Sequence, residues 1–231
     1  MKISGFTFIK NAILYDYPIV EAIESILPLC NEVIVAVGKS DDDTLGLIKG
    51  IDSEKIRILE TQWDLDLREG GHVLAEETNK ALSQVSKDSD WCIYIQGDEA
   101  IHEKYHAHIK QAMLTYKDKP AVEGLLFKYL HFYGSYDFVG DSRKWYRREI
   151  RIIKNNPQIK SYKDAQGFRI NGRKLKVKEI DAYIYHYGWV KPPEKQSDKI
   201  RNFQKLWHND KYVEKNKPQL AFDYVRLKTK I

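Results

Sequence analysis

The sequence predicts an α/β fold: a mostly parallel sheet flanked by helices, joined to a smaller antiparallel sheet and a C-terminal helical tail. Three observations predict it. In the first hundred residues four short β-prone runs alternate with segments whose apolar residues recur at the helical period. From residue 122 onward β-prone runs follow one another without intervening helices. A chain of 231 residues, 42% hydrophobic and 12% aromatic, is also long enough to bury a full core.

The elements follow in order. Residues 3–9 (ISGFTFI) are β-prone, and a helix starts after Asp16-x-Pro18 with apolar positions at 19, 22, 23, 26 and 27. Residues 32–37 (EVIVAV) show no polar alternation, as expected of a parallel strand covered on both faces. GKSDDDT reads as a loop, 44–49 as a short helix and 55–59 (KIRIL) as a third strand. Positions 74, 78, 81, 82 and 85 give a helical period over 71–86, before a fourth strand at 91–96. That strand lies in DWCIYIQGDE, which ends on the carboxylates Asp98 and Glu99. A helix over 103–116 precedes strand candidates at 122–132, 145–153 and 182–187. The tail from Pro192 reads as helix, loop and basic end, with Phe203, Leu206 and Trp207 to bury.

The formal charge of +5 is unevenly spread. Residues 1–142 carry 14 Lys and Arg against 24 Asp and Glu, residues 143–178 carry 13 against 2, and residues 191–231 carry 11 against 5. An acidic part joined to a basic part suits a site where carboxylates hold a cation and basic groups meet an anion; for most of these lysines a solvated surface is the alternative. No apolar run approaches the roughly 18–20 residues of a membrane span, and the N-terminus lacks the pattern of a signal peptide. The expectation is a cytoplasmic protein whose basic tail allows peripheral contact with an anionic membrane at its inner face. Cys30 and Cys92 lie in apolar runs without metal-ligand spacing and read as buried thiols.

Asp98 and Glu99 end a buried strand on the side where open α/β sheets bind ligands. Such a pair suits Mn²⁺ or Mg²⁺, hard cations that take one or two carboxylates plus the oxygens of a diphosphate; a helix cap is the alternative. If 145–153 is a strand, Arg147 and Arg151 share a face with Trp145, while Arg148 takes the other; Arg143 and Lys144 complete this cationic run. His72, His102, His106, His108 and His131 suggest no metal cluster.

The order FTFIKNA, EVIVAVGKSDDDT, a Gly-rich loop and helix reaching Asn79-Lys80-Ala81, then a strand ending QGDE, resembles the nucleotide-diphospho-sugar transferase (GT-A) fold of family-two glycosyltransferases. The resemblance covers the first hundred residues well and the rest loosely. It implies a metal-assisted, inverting transfer of a sugar from a nucleotide-diphosphate donor to a saccharide or lipid-linked acceptor, with Mn²⁺ or Mg²⁺ as cofactor and no nucleic acid as partner. It implies one catalytic domain over 1–190, with a nucleotide-binding half (1–100) and an acceptor half (101–190), and a basic helical extension over 191–231.

Position by position, the resemblance sets Thr7, Phe8, Lys10 and Asn11 beside the nucleotide and matches Asp42 with Thr44 to the family's Asp-Gly-Thr turn. Asp98 falls on the last carboxylate of the family's Asp-x-Asp motif, with Gln96 in place of the first. Glu99 and His186 are the further metal ligands expected, Arg147 and Lys191 the further donor-binding groups, and Asp164 the base that takes the acceptor's proton. The rival role for Asp164 is a turn residue or an arginine's partner, and for His186 a structural place among aromatics. Val37 and Gly38 stand where many members have paired aspartates, so base recognition falls to another residue, such as Asp41 or Glu60. Two alternatives stand beside this reading. A nucleotidyltransferase on a similar fold is disfavoured because SGFTFIKN has a single Gly. A non-catalytic module for an anionic partner is favoured only by the charge of the tail.

Overall fold

Apolar residues on both faces of four parallel strands set the architecture of the computed structural model, which describes residues 1–143, 145–208, 210–215 and 227–229. Strands β1 (Ile3–Ile9), β2 (Glu32–Gly38), β3 (Ile56–Thr61) and β4 (Trp91–Tyr94) pair in the order β3-β2-β1-β4. Alternation within them feeds two cores. Ile3, Ile9, Val33, Val35 and Val37 face helix α1 (Ile19–Ile26), whose buried stripe is Ile19, Ala22, Ile23 and Ile26. Phe6, Ile34 and Ala36 point the other way, packing with Ala81 of helix α3 (His72–Ser83). Between them α2 (Thr44–Lys49) starts on Asp43, whose carboxylate accepts from Gly46 N at 3.0 Å. Cys30 and Cys92 are buried free thiols, and burial pushes the Cys92 thiol up to about 12.

β4 stops at Tyr94, earlier than its apolar run suggested, because 95–98 turn the chain into a short strand β5 (Glu99–Ile101) before α4 (His106–Tyr116). The later strands do not form a sheet of their own. β6 (Gly124–Tyr133), hairpin partner β7 (Ser135–Gly140) and β8 (Arg148–Lys154) extend the main sheet, because β8 runs antiparallel to both β4 and β6. The separate antiparallel sheet comes from β9 (Ile159–Tyr162), β10 (Gly167–Ile170) and β11 (Arg173–Lys174), strands too short and polar to read in sequence. β12 (Val177–Trp189) returns parallel to β6 and antiparallel to β5.

The tail forms α5 (Pro193–Lys205), α6 (Asp210–Lys215) and a strand β13 (Leu227–Thr229) on β7. Lys144 of the cationic run, and residues 209, 216–226 and 230–231 of the expected extension, lie outside the described residues. No helix among the described residues is long and apolar enough to cross a membrane.

Candidate active site

The ends of β1, β4 and β12 open onto a cavity of ≈ 810 Å³, and α5 with the turn after it forms the facing wall. That wall is docked by apolar burial: Leu206 and Trp207 pack with Val73, Leu74 and Ala165. Two backbone bonds pin it, from Gly70 N to Trp207 O and from Gly71 N to Leu206 O, each 3.2 Å. Both glycines have left-handed φ (66° and 76°), and a Cβ on Gly71 would stand 2.9 Å from Cβ of Asp164. The same Gly-Gly turn thus seats the tail and Asp164.

Asp98 follows the turn after β4 and is buried. Its Oδ2 accepts a hydrogen bond from Lys199 Nζ at 2.8 Å, and the same ammonium donates to Gly188 O at 3.0 Å. Burial opposes ionisation of Asp98, but the positive charges of Lys199 and its neighbours outweigh it and hold the carboxyl well below the ordinary range. Gly188 is what lets β12 approach so closely, since a Cβ there would lie 2.7 Å from both Asp98 Oδ2 and the His186 ring.

His186 presents an unprotonated nitrogen to this cluster. His131 Nε2 lies 2.8 Å from the carbonyl of Tyr146, an acceptor only, so Nε2 of His131 carries the proton and its Nδ1 is a lone pair. The 3.2 Å contact between the two Nδ1 atoms then requires His186 Nδ1 to donate, which leaves His186 Nε2 bare, 3.7 Å from Asp98 Oδ2. Burial lowers the pKa of both rings, that of His131 to about 4, so both are neutral at pH 7.

Glu99 faces away from this arrangement. Arg151 Nε and Nη2 donate to its two oxygens at 2.8 Å each, Tyr129 OH donates at 2.7 Å and Gln96 N at 3.1 Å. Burial would raise its pKa, but Arg151 more than compensates and keeps it ionised. Gln96 turns its amide to Tyr94 OH (3.4 Å) and Ala165 O (3.3 Å), bracing the 163–166 turn.

These placements test the expected divalent ion. Asp98 Oδ2 and His186 Nε2 face each other and have the protonation states a metal requires. The third expected ligand, Glu99, is spent on Arg151 and Tyr129. Among the described residues no three His, Cys, Asp or Glu side chains gather to hold a metal. Lys199 already supplies Asp98 with a cation. A divalent ion on the same oxygen would stand about 4 Å from that ammonium, a repulsion of order 8 kcal/mol at an effective dielectric of about 20. The donor set does not fit Mn²⁺ or Mg²⁺ while Lys199 is seated.

Of the residues expected from the sequence, Phe8, Lys10, Asn11, Gln96, Asp98, Asp164 and His186 line the cavity, as does Asp41. Asn11 and Asp41 exchange hydrogen bonds, Nδ2 to Oδ2 at 2.9 Å and Asp41 N to Oδ1 at 2.8 Å. Thr7, Asp42, Glu99, Arg147 and Lys191 are not among the lining residues. Thr7 is fully buried within β1. Asp42 accepts from Leu14 N at 2.7 Å, Thr44 N at 3.0 Å and the Thr44 hydroxyl, so it ties two loops together. Arg147 precedes β8 instead of lying within it, and it borders a second cavity of ≈ 390 Å³ with Trp145 and Arg148. Lys191 bonds the Asp16 carbonyl behind Tyr17, where burial and then Lys199 lower its pKa to about 8. Glu60 is exposed on β3.

Sequence reasoning missed Lys199 and the polar atoms of the facing wall. Trp63 Nε1, Trp207 Nε1, Gln196 Oε1 and Gln204 Oε1 are buried beside the cavity with no hydrogen-bond partner among the described residues. Only the apolar spacing of Phe203, Leu206 and Trp207 hinted that this helix docks on something.

No family model matches the chain, and no curated protein matches its sequence. Among solved structures, the chain is similar to TarS of S. aureus, at 19% identity and a TM-score of 0.49, over 88% of this chain and 39% of that one. It thus spans about two fifths of that protein's length (39%). It is similar to 4-diphosphocytidyl-2C-methyl-D-erythritol synthase of Anaerococcus prevotii, at 13% identity and a TM-score of 0.46, over 92% and 96% of the two chains. It is also similar to glucosyl-3-phosphoglycerate synthase of Mycobacterium tuberculosis, solved with Mn²⁺, uridine diphosphate and phosphoglyceric acid, at 18% identity and a TM-score of 0.36, over 56% and 43%.

Proposed function

We propose that the protein is a glycosyltransferase that moves a sugar from a nucleotide-diphosphate donor to a saccharide or lipid-linked acceptor. The observation that carries the reading is that one cavity at the carboxyl ends of the parallel strands is lined by Asp98, Asp164, Lys10 and Lys199 together with buried polar atoms that lack partners among the described residues. Carboxylates and ammonium groups in one cleft suit a reaction that moves a proton one way and negative charge the other.

In the proposed step the acceptor hydroxyl attacks the anomeric carbon, and its proton passes to the Asp164 carboxylate. The bond from that carbon to the donor phosphate oxygen breaks, and the electron pair leaves with the nucleoside diphosphate. Attack opposite the leaving group inverts the anomeric centre. Trp189 lines the same cavity and stacks on Tyr133, which offers an apolar face to a sugar ring. Unpartnered atoms of Trp63, Gln196 and Gln204, with Asp41, supply hydrogen-bonding edges for a base. No step is assigned to Mn²⁺ or Mg²⁺. Peripheral contact of the basic tail with an anionic membrane would present a lipid-linked acceptor.

The test is a panel of nucleotide sugars and nucleoside diphosphates read by thermal shift and by donor hydrolysis. One nucleotide series is expected to raise the melting temperature and one donor to be hydrolysed. Stabilisation by nucleic acid or anionic vesicles alone would identify a binding module instead.

A further inference from the structure

We propose that Lys199 is the resident cation of this site: held on Asp98 and the Gly188 carbonyl, its ammonium takes the charge-neutralising place at the donor diphosphate, so that nucleotide binding needs no divalent ion. The inference rests on the reading of the cavity as a nucleotide-diphosphate site and deepens it.

Asp98 Oδ2 and the bare Nε2 of His186 face each other across 3.7 Å, an arrangement that demands a positive or proton-donating group between or beside them. The structure supplies that group from within the chain, 101 residues away in sequence, as Lys199 Nζ at 2.8 Å. An ammonium has three donors, and the bonds to Asp98 and Gly188 use two; the third belongs to a side chain that lines the cavity.

The charge balance points the same way. One face of the cluster is set by Tyr17, over whose ring Lys199 and Lys191 both sit, 4.9 Å and 5.1 Å from the centroid. Asp98 neutralises one of these ammonium groups, and Lys10 adds another at the cavity wall. The cavity lining carries Lys10, Arg68, Lys199 and Lys205 against Asp41, Asp98 and Asp164, a net positive charge that suits an anionic diphosphate. Gln96, two residues before Asp98, contributes a neutral amide to the cavity, and Glu99 is locked to Arg151. Asp98 is thus paired with an ammonium and Glu99 with a guanidinium, which favours contact of cationic side chains with the phosphates over contact through an ion.

Calorimetric titration of UDP, GDP, CDP, ADP and dTDP into the wild-type protein, Lys199→Ala and Lys199→Arg, each in excess EDTA and in excess Mn²⁺, tests it. The nucleotide that binds the wild type is expected to do so within about threefold of the same dissociation constant in the two conditions. Lys199→Ala is expected to weaken it at least about tenfold in EDTA, and Lys199→Arg to lose less. Wild-type binding that requires Mn²⁺ overturns the inference and leaves the transferase reading standing, as does Lys199→Ala binding like wild type in EDTA. Failure of every nucleotide in both conditions overturns both.

Discussion

Glu99 and Arg151 form a two-pronged ion pair, Nε to Oε2 and Nη2 to Oε1 both at 2.8 Å, and neither side chain has any exposed surface. The guanidinium also donates to Gln166 O at 2.9 Å and lies over the rings of Tyr94 and Tyr129. It therefore ties the strand after Asp98 to the turn that carries Asp164. Removing one partner leaves the other charge buried alone. Arg151→Met is expected to cost about 3–5 kcal/mol in urea unfolding, while Glu99→Leu combined with Arg151→Met recovers most of it. A double variant no better than the single one would show that the pair is not coupled as described.

A second expectation concerns pH. His131 is 2% exposed and is held neutral by burial and then by His186, with a pKa of about 4. In the unfolded chain it titrates near 6.5, so between those values the unfolded state binds a proton that the folded state refuses. Stability from this residue is complete above about pH 6.5 and falls as pH drops toward about 4, by about 3 kcal/mol in all. His186, also lowered by burial, acts in the same direction. His131→Gln is expected to flatten the slope between about pH 6.5 and about pH 5; unchanged slopes in equilibrium unfolding would refute this.

Asp164 and Gly71 form the third case. Asp164→Asn is expected to leave nucleotide binding intact and to remove sugar transfer, because only the proton acceptor is lost. Gly71→Ala places a methyl 2.9 Å from Cβ of Asp164 at a left-handed φ of 76°. It is expected to lower stability by about 1–3 kcal/mol and to impair transfer more than binding. Normal transfer by Asp164→Asn would remove it from the role of base.

Gly188→Ala tests the close approach of β12 to Asp98. The added methyl would meet Asp98 Oδ2 and the His186 ring, both at 2.7 Å. Overpacking of about 1–3 kcal/mol and roughly tenfold weaker nucleoside diphosphate binding are expected, read by denaturation and calorimetry. A variant that melts and binds like wild type would show that the cluster yields freely.

Much of the fold was legible. The apolar runs of β1 and β2 and the short helix over Thr44–Lys49 fall where the sequence put them, since burial on two faces and helical periodicity are local properties of the chain. The short strands β9, β10 and β11 were not legible, because a strand of two to four residues carries too little alternation to distinguish it from a loop. At the site, Asp98, Gln96, Asp164 and His186 were expected and do line one cavity. Asp42 looked equally functional, yet its carboxylate is consumed by Leu14 N and Thr44.

By itself the sequence determined the alternation of strands and helices, the end of the sheet at which the cavity opens, and the delivery of Asp98 to that end. These follow from backbone periodicity, which neighbouring residues encode. The tertiary structure alone decided which charges meet there. Arg151 comes from β8 to claim Glu99, and Lys199 comes from α5 to claim Asp98. Whether a carboxylate is a metal ligand, a structural anchor or the seat of an ammonium depends on what stands within about 3–4 Å of it, and distances between residues 52 and 101 positions apart are set by packing, not by local pattern.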